Sequence, residues 1–168
     1  ERVLSGVHEA NTLFVPQLWH VGEVRRLGMP DDPMVPGYGP CEVIEDSRVV
    51  VKAMDPGDCE IIAESYARCA LSAQEMGCDG IALHGAHGYL LDQFLWPETN
   101  LREDGLGGPM ENRCRLACLV VERIRDSVAA DFPIVFRFSQ WKMSDYNARI
   151  AETPGELEIL LQGLAAAG

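Results

Sequence analysis

The sequence predicts an α/β fold built on a parallel sheet of about three strands, and two observations carry the prediction. Strand-length apolar runs alternate with longer stretches of helical period, in the order strand, helix, strand, helix, strand, helix. The strands are near-continuous apolar runs, the pattern expected of parallel strands covered on both faces.

The elements follow in order. Leu13 to Trp19 reads as a buried strand entered from a short helix that ends near Ala10-Asn11. Pro16 is a tension there, because proline removes one ladder hydrogen bond. Residues 21–54 are rich in Gly and Pro and hold no helical period. Within them Val43-Ile44 and Val49-Val50-Val51 flank Glu45-Asp46-Ser47-Arg48, which suggests a small hairpin inside a long loop. Asp55-Pro56 opens a helix as N-cap and first residue, with Ile62, Tyr66, Ala70, Ala73 and Met76 on its apolar face and Gly77 at its end. Gly80 to His84 is the second strand. After an irregular stretch a helix is expected from about Met110 to Ala129, with the stripe Leu116, Val120, Ile124 and Val128. Phe132-Pro133 breaks it, and Ile134 to Phe138 is the third strand. The last helix starts at the capping box Thr153-Pro154-Gly155-Glu156 and carries Leu157, Leu160, Leu161 and Leu164.

The chain has 168 residues, 14 Lys+Arg against 26 Asp+Glu, and a formal net charge of -12. That length suits one domain, 1–168, with a sizeable core, and no linker or second domain is indicated. So acidic a chain repels phosphate backbones, which argues against nucleic acid as partner. No apolar run reaches 18 residues, so no membrane span is expected. Glu1 to Ser5 is not a signal peptide and lacks an initiator Met, so the natural start is expected upstream. None of the six cysteines forms a C-x-x-C pair, and buried thiols in a reducing cytoplasm are expected.

In parallel α/β folds the site lies at the C-terminal ends of the strands. His84-Gly85-Ala86-His87-Gly88-Tyr89 places two imidazoles and a phenol at one such end. Two donors suit a carbonyl oxygen on which negative charge develops, and a phenol can deliver a proton to an enolate-like carbon. Two other readings stand beside this one: a structural turn with both imidazoles satisfied by backbone, and a metal site in which Asp92 joins His84 and His87. Arg137, inside the run Phe136-Arg137-Phe138, is either half of a structural salt bridge or a fixed positive charge beside an anionic ligand. Gln17, an amide in a buried strand, needs partners that the polar edge of a planar cofactor would supply. Arg102, Asp104, Glu111, Asn112 and Arg113, around Gly107-Gly108, read mainly as a hydrogen-bonded loop and helix start.

These residues carry a resemblance. The run His84 to Leu95, the pattern Thr99-Asn100-x-Arg102-x-Asp104 and the pattern Gly107-Gly108-x-x-Glu111-Asn112-Arg113 resemble the active-site segment of the Old Yellow Enzyme family of FMN-dependent ene-reductases. Gln17-Leu18-Trp19-His20-x-Gly22 is similar to that family's third-strand motif, and Phe136-Arg137-Phe138-Ser139 to its fifth-strand motif. The resemblance covers nearly the whole chain in order and spacing. Two positions depart from it: Glu23 stands where the family often has Arg, and Leu106 replaces an aromatic residue before Gly107-Gly108.

The resemblance implies a partial (β/α)8 TIM barrel, a fragment from about the third to the fifth β/α unit, whose complete form needs roughly 250 residues. It implies FMN as cofactor and NADH or NADPH as hydride donor. Gln17 would bond the flavin pyrimidine edge, and Arg137 would lie near flavin N1 and O2. His84 and His87 would hold the oxygen of an α,β-unsaturated carbonyl or nitro compound, and Tyr89 would donate the proton. The substrate is a small electron-poor alkene, and the fragment alone is expected to be inactive and to associate with itself or with a complementary piece. Alternatives are a dienoyl-CoA reductase or amine dehydrogenase type relative with an iron–sulfur cluster elsewhere in its chain, a metal hydrolase using His84 and His87, or a non-catalytic acidic α/β module.

Overall fold

A computed structural model describes residues 2–30, 32–143 and 145–168. Its main sheet has three parallel strands in the order β1 (Gln17–Leu18), β5 (Ile81–Gly85), β6 (Ile134–Phe138). The register pairs Gln17 with Ala82, Leu83 with Phe136, and His84 with Arg137. The helices α2 (Pro56–Glu75), α5 (Arg115–Ser127) and α6 (Pro154–Ala167) follow the three strands in turn. A short helix, α1 (Arg2–Glu9), precedes β1.

All three helices cover one face of this sheet. Ile81 and Leu83 point into a core with Ala63, Ala67 and Ala70 of α2 and Leu116, Val120 and Ile124 of α5. The small residues of α2 let α5 lie close against it, so the face differs from the expected one: Ala63 and Ala67 are buried, while Met76 is exposed. The opposite face of the sheet is open. Leu13, Val15, Gln17 and Trp19 alternate outward along the first strand segment, as do Val135 and Arg137 along β6. This corrects three expectations. The first strand is not buried, and neither Gln17 nor Arg137 sits in a buried strand, because helices cover one face only. The ladder of β1 is also shorter than Leu13 to Trp19. Pro16 has no N–H to offer, and its carbonyl accepts from Ala82 N instead.

Helix starts match their local chemistry. Asp55 and Asp58 form a reciprocal capping box at α2: Asp58 N donates to the Asp55 carboxylate and Asp55 N to the Asp58 carboxylate. At α6 the Thr153 hydroxyl accepts from Glu156 N, but Glu156 does not close the box. Its carboxylate accepts from Glu152 N and pairs with Arg113. The single helix expected from Met110 is divided into α4 (Met110–Arg113) and α5 at Cys114.

The segment 21–54 carries a second sheet, in which β4 (Arg48–Ala53) lies between β2 (Gly37–Gly39, parallel) and β3 (Val43–Glu45, antiparallel). Asp46 and Ser47, both at positive φ, make the two-residue turn between β3 and β4. Finally α3 (Leu90–Leu95), in a stretch expected to be irregular, is buried at every position.

Candidate active site at the C-terminal strand ends

β5 ends at Gly85, where an added Cβ would stand 2.5 Å from Cζ of the Phe136 ring. The chain then turns through His87 (φ 60) and Gly88 (φ 79), two left-handed residues in succession, and enters α3 at Tyr89. The turn is captured on both sides. Gly88 N donates to Asp92 Oδ2 at 2.7 Å, and Gln93 Nε2 donates to Gly88 O at 2.6 Å. Gln93 also reaches the exit of β1, where its Oε1 accepts from Glu23 N at 3.0 Å. Gly22, at φ +62, leaves the space that Gln93 fills.

His84 and Arg137 are cross-strand neighbours on the open face. The Arg137 guanidinium donates to His84 Nδ1 at 3.2 Å and to His87 Nε2 at 3.0 Å. A guanidinium has no acceptor, so each of these nitrogens must carry a lone pair. Both imidazoles are therefore neutral, with the proton on Nε2 of His84 and on Nδ1 of His87. Burial, the Arg137 charge and His87 hold the His84 imidazole below its ordinary pKa, in agreement with that assignment. His87 Nδ1 is buried with no partner among the described residues. A buried unpaired donor costs about 1–3 kcal/mol.

An aromatic rim surrounds these groups. Tyr89 lies 5.3 Å from His84 between ring centroids, and Trp19 meets Tyr89 edge-on at 4.8 Å. Trp141 stands 6.0 Å from His87 and stacks on Tyr146. Gln17 shares the open face one register step before Trp19, and its amide makes no hydrogen bond to another described residue. The structure thus brings His84, His87, Tyr89 and Arg137 together and leaves Gln17 apart on the same surface.

Asp92 cannot serve as the third ligand of a His84–His87 metal site. Its buried carboxylate accepts from Gly88 N and from Lys142 Nζ, the latter at 2.5 Å. Among the described residues no group of three or more His, Cys, Asp or Glu is placed to hold a metal ion. The Arg102 and Arg113 cluster is structural, as expected. Arg102 donates to the carbonyls of Pro40 and Met54, and Arg113 to those of Gly108, Leu95 and Ile150.

Sequence reasoning missed Lys142, the clamp formed by Asp92 and Gln93, and the bridge that Arg137 makes between the two imidazoles. One signal was available: Asp92-Gln93 interrupts the apolar run Leu90-Leu91 and Phe94-Leu95, and buried polar residues need partners.

The donor set suits a planar heterocycle. The Gln17 amide and the Arg137 guanidinium lie on the open face on either side of β5, Gln17 in register with Ala82 and Arg137 with His84. A model of the NADH:flavin oxidoreductase / NADH oxidase family matches residues 1–165. The chain belongs to that family. It is 35% identical over 133 residues to 12-oxophytodienoate reductase 1 of Oryza sativa subsp. japonica, covering 76% of this chain and 35% of that protein. It is 35% identical over 137 residues to an NADH oxidase of Thermoanaerobacter brockii, covering 80% of this chain and 21% of that protein. Among solved structures, the Old Yellow Enzyme from a Pichia species superposes on 98% of this chain and 46% of its own, with TM-score 0.83 and 28% identity. The Old Yellow Enzyme homologue from Zymomonas mobilis gives TM-score 0.80 at 25% identity. The chain spans less than half the length of each of these proteins, and its three strands are part of the barrel of its structural neighbours.

Proposed function

We propose that the protein containing this segment is an FMN-dependent reductase that takes hydride from NADH or NADPH and reduces the C=C bond of α,β-unsaturated carbonyl or nitro compounds. The observation that carries the reading is the pair of neutral imidazoles fixed by Arg137, each keeping one N–H, beside the Tyr89 phenol. Bound FMN would supply hydride to the carbon β to the carbonyl. Gln17 and Arg137 would hold the pyrimidine side of the ring, the guanidinium offering positive charge where the reduced flavin is anionic.

The remaining steps belong to this chain's side chains. His84 Nε2–H and His87 Nδ1–H receive the substrate oxygen and draw electron density from the alkene, so the β-carbon becomes electrophilic. Tyr89 O–H gives its proton to the α-carbon, and solvent returns one to the phenolate. Trp19, packed edge-on against Tyr89, walls one side of the phenol. One C=C π bond is lost, and two C–H bonds form from one hydride and one proton.

A stopped-flow experiment on the full-length, FMN-loaded protein tests this. Reduction by a nicotinamide followed by reoxidation with cyclohex-2-enone is the expected course. A reduced protein that oxygen reoxidises but the enone does not would refute it.

Similarity to an NADH oxidase as well as to 12-oxophytodienoate reductases leaves a second reading, a longer flavoprotein with an iron–sulfur cluster outside this segment. Iron and sulfide analysis of the full-length protein separates the two. In either case this segment alone, one partial barrel domain, is inactive in our reading. The six free thiols support a reducing, cytoplasmic setting. No helix among the described residues is long and apolar enough to cross a membrane.

A further inference from the structure

Lys142 is a buried lysine that the mechanism above does not use. It lies just beyond β6, 2% exposed, with its backbone paired to Asp145 in both directions. Its ammonium stands 5.1 Å over the Trp96 ring and 2.5 Å from Asp92 Oδ1. Asp92 is fully buried, and its second oxygen accepts from Gly88 N. One carboxylate therefore joins the exit of β6 to the turn after β5.

We propose that Lys142, acting through Asp92, positions the His87–Gly88–Tyr89 turn and so aims the oxygen-holding imidazole of His87 and the proton-donating phenol of Tyr89. The inference rests on the ene-reductase reading for what the turn is aimed at, but not for the turn itself.

The geometry supports it in three steps. The Gly88 N–H belongs to the peptide shared with His87, and the Gly88 carbonyl to the peptide shared with Tyr89. Asp92 fixes the first peptide and Gln93 the second, so both flanking side chains hang from held planes. His87 carries a β-carbon at φ 60, a conformation that persists only when its surroundings impose it. A buried ion pair adds little net stability, so its value here is in direction rather than in energy. Removing the ammonium leaves a buried carboxylate without its counter-charge. That carboxylate then either takes up a proton or turns toward water, and in both cases its hold on the Gly88 N–H weakens.

The test uses the full-length, FMN-loaded protein. In Lys142→Met, amide hydrogen exchange at Gly88 should quicken about tenfold or more while α2 and α5 exchange as before. Flavin reduction by the nicotinamide should hold within about twofold, and reoxidation by cyclohex-2-enone should slow about 10–100-fold. The double variant Asp92→Asn with Lys142→Met should regain most of both losses, because the Asn oxygen can still accept from Gly88 N and no charge is left unpaired. If Lys142→Met alone does not fold, that double variant is compared with Asp92→Ala in Lys142→Met. Both are neutral, and only the second should show fast Gly88 exchange and slow reoxidation.

Unchanged Gly88 exchange in the folded variants, or equal slowing of both half-reactions with loss of FMN, overturns the positioning role. If the unmodified protein does not reduce the enone but Gly88 still responds, the ene-reductase reading fails and the positioning of the turn stands.

Discussion

The turn after β5 and the segment through Gln17 share the open face of the sheet, but they are held in opposite ways. His87, Gly88 and Tyr89 are fixed by Asp92, Gln93 and Arg137, with Lys142 behind Asp92. Gln17 is exposed, with no partner for its amide among the described residues, on a strand whose ladder is two residues long. The groups assigned to the substrate are thus organised by this segment itself. Of the two groups proposed for the flavin edge, Arg137 is held by its contacts to both imidazoles, while Gln17 is only presented. Sites with fixed peptide planes are precise, whereas sites on free side chains gain order on binding.

The largest effect is expected at the held end. Tyr89→Phe should slow enone-driven reoxidation about 100-fold while leaving flavin reduction and the melting temperature alone. Stopped-flow traces of both half-reactions check this, and equal slowing would show that the phenol has another role. Next comes the clamp itself. Gly22→Ala puts a methyl group where the Gln93 amide lies and a β-carbon at φ +62, and should cost about 2–3 kcal/mol in urea unfolding. A loss under about 0.5 kcal/mol would mean that Gln93 does not tie the two loops together.

The free end should behave differently. Gln17→Ala should leave the melting temperature unchanged, because no described residue bonds that amide, while FMN dissociates about tenfold more readily. Ultrafiltration of the loaded protein measures it. The smallest effect is in pH. His84 is held below its ordinary value of 6.5, first by burial and then by Arg137 and His87, so the unfolded chain binds its proton first as pH falls. Stability contributed by neutral His84 is therefore full above about 6.5 and declines below it. Burial lowers His20 as well, which adds a slope of the same sign. Melting temperatures at pH 7.5 and 5.5 should differ less in His84→Asn than in the unmodified protein.

Much of this was readable in the residues, for reasons that differ by element. The strands through Ile81 to Leu83 and Ile134 to Phe136 and the helix behind Asp55-Pro56 are set by local signals, namely apolar runs and a cap, and they formed where expected. His84, His87 and Tyr89 sit within six residues of one another, so a sequence can place them together. The α3 helix was missed because its six residues are too few to show a period and its capping residue, Tyr89, makes no side-chain cap. β2 was missed because the two glycines of Gly37-Tyr38-Gly39 outweigh the strand preference of Tyr38, and the segment owes its conformation to pairing with β4. The Lys142–Asp92 pair spans 50 residues and the Arg137–His84 contact 53, and such distances come only from topology. Glu156 shows the limit of a local rule. Its spacing from Thr153 fits a capping box, yet Arg113, 43 residues away, draws its carboxylate elsewhere.

The Gly88 clamp also constrains how this family member can change in length. Asp92 and Gln93 are adjacent in the chain but reach toward different neighbours, Asp92 to the exit of β6 and Gln93 to the exit of β1. One residue inserted or deleted between Gly88 and Asp92 would rotate both by roughly 100° around the helix and separate each from its partner. Gene variants should therefore tolerate conservative replacements on α3 far better than the insertion or deletion of a single codon there. The count of residues from Gly88 to Gln93 is then as much a part of the site as the imidazoles that it serves.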